Sequence, residues 1–269
     1  MAKQTKNKPE RRRSGDANLN SSFSRYWNES ARPLVSLAFV APMILAYEGG
    51  LVAMGPQMMR NGADVWLRQL LEWLGFSQYF LLPVLTCALL LGWHHLNQER
   101  WSIRWVTMYG MLFESLLFGG FLLFAAQAQH VMLAAIETNS PQLLYVHAEK
   151  AISHFIAYLG AGIYEEVLFR VMLFPATAAL LRIIGTPHRT SWIVAMCLCS
   201  AAFAAAHYQL DLKIGSYHLM TLHGEPFDWT SFMFRFGAGI FFSTLLLARG
   251  FGITAGTHAF YDILASLPT

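Results

Sequence analysis

Residues 151–174 read AISHFIAYLGAGIYEEVLFRVMLF, an apolar run that contains two adjacent carboxylates and one arginine. At 1.5 Å per residue, a helix of this length can cross the roughly 30 Å hydrocarbon core of a bilayer. An ionisable side chain near the middle of such a helix costs roughly 2.5–3.5 kcal/mol on insertion scales. We therefore expect Glu165, Glu166 and Arg170 to have partners or a chemical task.

Similar apolar stretches recur on both sides of this run. Further spans are predicted near 34–54, 77–96, 105–127, 191–208, 231–248 and 251–267. Such continuous segments must satisfy their backbone hydrogen bonds internally, and they lack the alternation of outer-membrane strands, so they predict helices and not a barrel. The predicted fold class is an all-α membrane protein, a polytopic bundle of about seven (six to eight) transmembrane helices. Segment 175–189 is a candidate for an eighth, re-entrant element after Pro175.

The composition favours the same class. The chain has 269 residues, of which 55% are hydrophobic and 13% are charged, and its mean hydropathy is +0.38. A soluble domain is about one quarter charged, so too little polar surface is present to cover a water-soluble globule. Disordered, collagen-like and coiled-coil chains are excluded as well. The cysteines at 87, 197 and 199 have no CxxC spacing and predict packing residues.

Three regions follow from these patterns. Residues 1–33 carry eight Lys/Arg with few apolar residues and predict a basic, disordered cytoplasmic tail. Residues 34–149 predict N-terminal transmembrane helices, with an amphipathic interfacial helix near 63–75. Residues 150–269 predict a catalytic helical core.

The distribution of basic residues predicts the topology. With the tail inside and seven spans, the inside segments contain many more Lys/Arg than the outside segments, as the positive-inside rule requires. We predict a multi-pass protein of the cell (inner) membrane with a cytoplasmic N-terminus and an uncleaved first span. Nucleic-acid binding by the basic tail is the less favoured interpretation, and no nucleic-acid partner is predicted.

Two later spans also contain polar side chains. His207 ends the small-residue stretch FAAAHYQ, and His258 and Asp262 lie in THAFYDIL. With these boundaries His207 lies toward the end of its span, whereas Glu165 and His258 lie more centrally. A shared site therefore requires either that the fifth span begins later than Ser191 or that the helix at 151–184 is displaced along it.

The spacing of these residues indicates which side chains share a helix face. Glu166 and Arg170 are four residues apart, in the order that favours a helix ion pair, while Glu165 is turned about 100° away. His258 and Asp262 are also four residues apart, so the carboxylate can accept from one imidazole nitrogen and fix the tautomer. Small residues would allow the helices to approach closely, namely Gly160, Gly162, 201–206, Gly237, Gly239, Gly252 and Gly256.

Each polar residue also has a structural interpretation. Glu166 with Arg170 could be only a clamp, and His207 could be an interfacial histidine. His258 with Asp262 could be a hydrogen-bond station between helices. The combination of carboxylates with two histidines nevertheless contains the groups needed to activate a water molecule.

The motifs EExxxR (Glu165, Glu166, Arg170), FxxxH (Phe203, His207) and HxxxN/D (His258, Asp262), in this order, resemble the CAAX protease and bacteriocin-processing family of intramembrane proteases, also called the Abi or type II CAAX prenyl endopeptidase family. The resemblance covers about residues 150–267. It implies an all-helical membrane bundle with a conical intramembrane catalytic cavity that holds the motif residues.

The resemblance also implies roles for these residues. Glu165 would be the general base that deprotonates the attacking water, which it would hold together with His207. Glu166 and Arg170 would support that helix face, and His258 would stabilise the oxyanion. Many members have Asn at the last position, and an ionised Asp262 cannot donate a hydrogen bond as Asn can. Asp262 would instead orient His258 or stay protonated.

The sequence leaves two possibilities for a cofactor. Either no cofactor is required, or zinc is bound by Glu165, His207 and His258, although the HExxH motif is absent from the sequence. Members of the family resemble both metalloproteases and metal-free glutamate proteases, and we favour the metal-free form.

The predicted function is hydrolysis of a peptide bond in a membrane-associated protein or peptide by a water that Glu165 and His207 activate. The predicted partners are this substrate and the lipid bilayer. Two alternatives remain. One is a non-catalytic membrane scaffold or bacteriocin-immunity protein with the same polar groove, and the other is a small transporter, although the two halves show no internal repeat.

Overall fold

The computed structural model describes residues 22–55, 58, 60–134, 148–209, 211–214, 217–220 and 224–267. Its helices in chain order are α1 (22–30), α2 (Pro33–Met54), α3 (Gly62–Trp73), α4 (Leu81–Leu96), α5 (Trp105–Ala134), α6 (Ala148–Gly160), α7 (Phe174–Ile183), α8 (His188–Ala205), α9 (Trp229–Arg249) and α10 (Phe251–Ala265). Two π-helical segments, Ala161–Glu165 and Val167–Leu173, join α6 to α7 in one rod. The predicted helical class is confirmed.

A short antiparallel hairpin is the one departure from helix in the described elements. Strand β1 (Asp211–Ile214) pairs with β2 (Tyr217–Met220), with Asp211 opposite Met220. Our sequence analysis did not predict this hairpin, which lies between α8 and α9.

Local sequence signals explain where several helices begin and end. Pro33 occupies the first turn of α2, where its missing N–H costs nothing. Asn61 and Asp228 cap α3 and α9 by accepting hydrogen bonds from backbone N–H groups. Gly250 has a φ of 82°, which a residue with a side chain rarely adopts, and it separates α9 from α10.

Every predicted span corresponds to a helix, but some of these helices are too short or too polar to be identified as membrane spans from their own length and composition. Within the described residues, three helices have the length and apolar composition to cross a membrane: Pro33–Met54, Trp105–Gln129 and Trp229–Arg249. Helix α4 has 16 residues and α10 has 15, and both are therefore shorter than the roughly 20 residues that a typical span needs. The predicted number of seven is not confirmed by helix length and composition.

Two segments differ in detail from the sequence predictions. Segment 175–189, the candidate for an eighth, re-entrant element, contains the end of the rod at Ile183, a turn at Gly185 and the start of α8. Residues 22–30 form α1, so the prediction of a disordered tail over residues 1–33 is wrong for this segment. Residues 1–21 lie outside the described part of the chain.

Helix α1 is attached to the bundle by a buried arginine. Arg249, at the end of α9, forms an ion pair with Glu114 of α5 at 2.6 Å, and its guanidinium lies over the ring of Trp27. Tyr26 donates a hydrogen bond to the same carboxylate at 2.6 Å. The aromatic residues near the N-terminus therefore give α1 a fixed place.

Helix α10 lies at the centre of the bundle and packs against α2, α5, α6 and α9. Small residues permit this. A Cβ atom on Gly162 would lie 2.5 Å from the carbonyl oxygen of Ala255, and one on Gly256 would lie 2.7 Å from Oγ of Ser115. The predicted role of small residues is confirmed at these positions, whereas Gly237 has no neighbouring atom within 4 Å of its Cβ position and takes no part.

Helix α3 forms where an interfacial helix was predicted, and it has a polar inner face. Asp64 is fully buried and pairs with Arg68 at 2.6 Å, whereas Trp66 and Trp73 are 41% and 88% exposed. The inner face of the helix thus carries the Asp64–Arg68 pair beside the apolar Ala63 and Leu67, whereas its tryptophans lie on the outer face.

Candidate active site

The rod α6–α7 changes its winding at the paired carboxylates. The two π-helical segments flank Glu166, and π-helical turns inside α-helices occur frequently at functional sites. All residues of the first segment are buried, and Glu166 is 0% exposed. The predicted separation of the two carboxylates is observed: Glu166 pairs with Arg170, Glu165 lies near His207, and the two approach different nitrogens of His258.

Glu165 meets both histidines. Its Oε2 atom lies 3.9 Å from Nε2 of His207 and 3.7 Å from Nε2 of His258. These distances exceed a direct hydrogen bond, and Oε2 is buried with no hydrogen-bond partner among the described residues. Three side chains from the rod, from the end of α8 and from α10 therefore converge on one point.

His207 is held by the backbone of its own helix. Its Nδ1 lies 2.8 Å from the carbonyl oxygen of Phe203, and because a carbonyl only accepts, Nδ1 carries the proton. In the neutral imidazole, Nε2 then has a free lone pair directed toward Glu165. The four-residue spacing of the FxxxH motif therefore places the carbonyl oxygen of Phe203 one helical turn before His207, where it can accept this hydrogen bond.

The structure also shows how His207 reaches a central glutamate. Helix α8 begins at His188, before Ser191, so a later start of this span is wrong. His207 lies just beyond the last residue of α8, while Glu165 lies near the middle of the rod that begins at Ala148. The rod therefore extends past the end of α8. This is the second possibility that the sequence left open, in which the helix at 151–184 is displaced along the fifth span.

His258 is more deeply buried than His207. It is 4% exposed and stacks on Phe242 with ring centroids 4.7 Å apart. Its Nδ1 donates to Oε1 of Glu166 at 2.7 Å. Its Nε2 lies 3.6 Å from Oδ2 of Asp262, which is longer than a hydrogen bond. Of the two roles expected for Asp262, orienting this imidazole is performed in the structure by Glu166, and a protonated Asp262 stays a prediction.

Arg170 forms the predicted ion pair with Glu166, at 3.3 Å between Nε and Oε2. The guanidinium is 1% exposed and lies 4.0 Å from the centroid of Phe203. Glu166 thus connects Arg170 with His258 across two helices. All six polar residues that the motifs singled out lie in one cluster.

One residue of the cluster was not found from the sequence. Asn61, at the N-terminus of α3, donates from Nδ2 to Oε1 of Glu165 at 2.7 Å. The sequence does contain a signal for it, because Asn before an amphipathic segment is a typical helix cap. That signal predicts the cap but cannot indicate a partner 104 positions away.

A second buried polar group lies beside the site. Arg68 of α3 pairs with Glu48 of α2 at 3.0 Å, and Tyr164 donates to Glu48 at 2.5 Å. Tyr164 is the neighbour of Glu165 in the rod, so this group abuts the candidate site. Glu48 is thereby a buried structural partner.

A protein-bound metal ion such as zinc needs at least three protein side-chain ligands arranged around one point. Within the residues that the structure describes, no group of three or more His, Cys, Asp or Glu side chains is arranged to hold a metal ion. Glu165, His207 and His258 lie near one another, but their arrangement gives no positive support to the zinc alternative.

Comparison with known proteins identifies the family of the C-terminal segment. Residues 147–264 match the model of the family described as type II CAAX prenyl endopeptidase Rce1-like. This segment, which contains the complete motif cluster, therefore belongs to the CAAX protease family, in a protein with helices that can cross a membrane. No curated protein and no solved structure matches the chain.

Proposed function

We propose that the protein is an intramembrane endopeptidase of the glutamate type, which hydrolyses a peptide bond of a membrane-associated protein or peptide. The observation that carries this proposal is the position of Oε2 of Glu165, which is buried, unbonded within the described residues and directed toward Nε2 of both His207 and His258. A carboxylate beside two imidazoles can hold a water molecule and remove its proton.

The proposed reaction begins with a water that hydrogen-bonds to Oε2 of Glu165 and Nε2 of His207. Its oxygen attacks the carbonyl carbon of the scissile peptide bond, and its proton passes to Glu165. The carbonyl π electrons move to oxygen and form an oxyanion. Glu165 then returns the proton to the amide nitrogen, the C–N bond breaks, and an acid and an amine are released.

His258 would stabilise the oxyanion with an N–H group at Nε2. This requires a proton on both ring nitrogens, since Nδ1 already donates to Glu166. Carboxyl oxygens of Glu165, Glu166 and Asp262 lie 3.7, 2.7 and 3.6 Å from the ring nitrogens, so a charged ring would have acidic groups beside it. Removing one such donor costs on the order of 10²- to 10³-fold in turnover in other enzymes.

The substrate class is proposed from the family. The name of the matching family specifies prenylated CAAX termini, and we propose such a terminus or another peptide at the membrane surface as the substrate. Nucleic acid has no role in this proposal. No cofactor is needed for the steps above.

We also propose that all seven predicted spans cross the cell (inner) membrane, with the N-terminus in the cytoplasm. The short helices α4 and α10 pack against the long helices α2 and α5, so they would cross inside the bundle. The basic tail supplies the positive charge that favours this orientation. Labelling of a single cysteine placed in the tail tests the topology, and labelling from the periplasmic side would contradict it.

The proposed activity is tested by reconstituting the protein in lipid vesicles with a farnesylated peptide that ends in a CAAX sequence, together with an unprenylated peptide library, in heavy-oxygen water. Mass spectrometry should find products whose new carboxyl terminus contains one heavy oxygen. The Glu165→Gln variant should give none, although it inserts and folds, while Glu72→Gln on the exposed side of α3 should behave as wild type. Absence of product from the wild type would favour the non-catalytic alternatives, and equal product from Glu165→Gln would show that Glu165 does not activate the water; either result would overturn the proposal.

A further inference from the structure

Asn61 contacts the candidate site with one end of its amide and α3 with the other. Nδ2 donates to Oε1 of Glu165 at 2.7 Å, and Oδ1 accepts from the backbone N–H of Ala63 at 2.8 Å. The amide therefore caps α3 and holds the carboxylate at the same time. Within the described residues it is the one hydrogen-bond donor to this carboxylate.

This contact fixes the orientation of the Glu165 carboxylate. The terminal torsion of a glutamate side chain is broad, so an unrestrained carboxylate rotates easily. With Oε1 bound to Asn61, Oε2 is the oxygen that faces the two histidines. The hydrogen bond thus selects the orientation that the proposed water requires.

Asn61 itself is held in place by its surroundings. Its backbone N–H donates to the hydroxyl of Tyr47 at 3.4 Å, and that hydroxyl donates to Asp64 at 3.2 Å. Arg68 then joins Asp64 to Glu48, at 2.6 Å and 3.0 Å. The first turns of α3 are therefore fixed to α2 by buried polar contacts.

We propose that Asn61 is a positioning residue for Glu165, supplied by the N-terminal half of the chain to a site whose motifs all lie in the C-terminal half. This inference rests on the proposed function, because it assigns Asn61 a task in the same hydrolysis. Asn61 lies outside the family match at 147–264, and α3 with its buried charges is what brings it to the site.

Two substitutions separate the positioning role from the capping role. Asp and Ser are both good N-cap residues, so Asn61→Asp and Asn61→Ser keep an acceptor for the N–H of Ala63. Neither offers the donor: serine is too short to reach Oε1, and aspartate places a second carboxylate against Glu165. Asn97→Asp, at the exposed C-terminus of α4, is the matched control for the change of charge.

The test measures kcat, KM and the thermal midpoint of unfolding for these variants in the vesicle assay with the farnesylated peptide and the library. We expect Asn61→Ser to lower kcat on the order of 10- to 100-fold, as for loss of a hydrogen bond to a charged group, and Asn61→Asp to lower it further. KM should stay unchanged in both variants, and the thermal midpoint should stay unchanged in Asn61→Ser, whereas the added carboxylate of Asn61→Asp should lower the midpoint. Asn97→Asp should match wild type.

The outcomes distinguish this inference from the proposed function. If wild type hydrolyses peptide, Glu165→Gln does not, and both Asn61 variants keep full turnover, the positioning role is wrong while the proposed function stands. In Asn61→Ser, a fall in kcat that is accompanied by a marked fall in the thermal midpoint would show a structural role and would also overturn it. If wild type hydrolyses nothing, the proposed function fails, and this inference fails with it.

Discussion

The Nδ1 atom of His258 lies 2.7 Å from Oε1 of Glu166, and the two residues are 92 positions apart in the chain. The same carboxylate forms an ion pair with Arg170. Glu166 thus balances a buried guanidinium on its own helix and fixes a ring on the central helix α10. It connects the stability of the rod with the geometry of the site.

We predict that Glu166→Gln lowers both stability and turnover. The amide oxygen can still accept from His258, but Arg170 loses the charge opposite it, and an unpaired buried charge costs roughly 3–5 kcal/mol. Thermal unfolding in detergent should show a lower midpoint than wild type. Glu72→Gln, at an exposed position, is the control, and an unchanged midpoint for Glu166→Gln would contradict the assigned ion pair.

The glycines of the central packing should differ sharply in their tolerance of alanine. Gly162→Ala places a Cβ atom 2.5 Å from a backbone oxygen of α10, which cannot move independently, so we expect a loss of about 1–3 kcal/mol or more. Gly237→Ala has open space and should be neutral or stabilise α9 by about 0.5–1 kcal/mol. Denaturant unfolding of both variants checks this, and equal stabilities would refute the packing.

The buried charges under α3 provide a third prediction. Arg68→Gln leaves Glu48 and Asp64 without their shared cation, so we expect a loss of roughly 3–5 kcal/mol together with reduced turnover as Asn61 loses its support. Arg60→Gln removes an arginine whose side chain is 38% exposed and 3.7 Å from Asp64, and it should cost about 1 kcal/mol or less. Similar thermal midpoints for the two variants would show that α3 is not held by Arg68.

Metal content is a fourth prediction. We expect purified, active protein to contain no stoichiometric zinc and to keep its activity after treatment with a chelator. Elemental analysis measures the first and the vesicle assay the second. One zinc per chain that is lost together with activity would instead assign Glu165, His207 and His258 as ligands.

The sequence predicted the parts of the site that depend on local spacing. The pairing of Glu166 with Arg170 follows from four-residue spacing on one helix, and the motif order pointed to Glu165, His207 and His258 as one site. The helix positions followed from apolar runs. These features are encoded within one helical turn or one span, so a single sequence contains them.

What the sequence could not provide are contacts between distant segments. The bond from Asn61 to Glu165 and the orientation of His258 by Glu166 depend on how helices pack, which no local pattern encodes. Residues 22–30 were predicted as part of a disordered tail because the contacts of Tyr26 and Trp27 with Arg249 join positions more than 200 residues apart. The β1–β2 hairpin likewise lacked a clear signal in a polar loop.

A double-mutant cycle on turnover tests the central claim most directly, namely that Glu165 and His207 act on one water. Rates are measured in the vesicle assay for Glu165→Gln, His207→Gln and the double variant. Each single change should lower kcat by roughly 10²- to 10⁴-fold, and the double variant should be hardly worse than the more damaged single, because groups that act as a unit are not additive. Losses that multiply in the double variant would show that the two side chains act independently and would contradict the shared water.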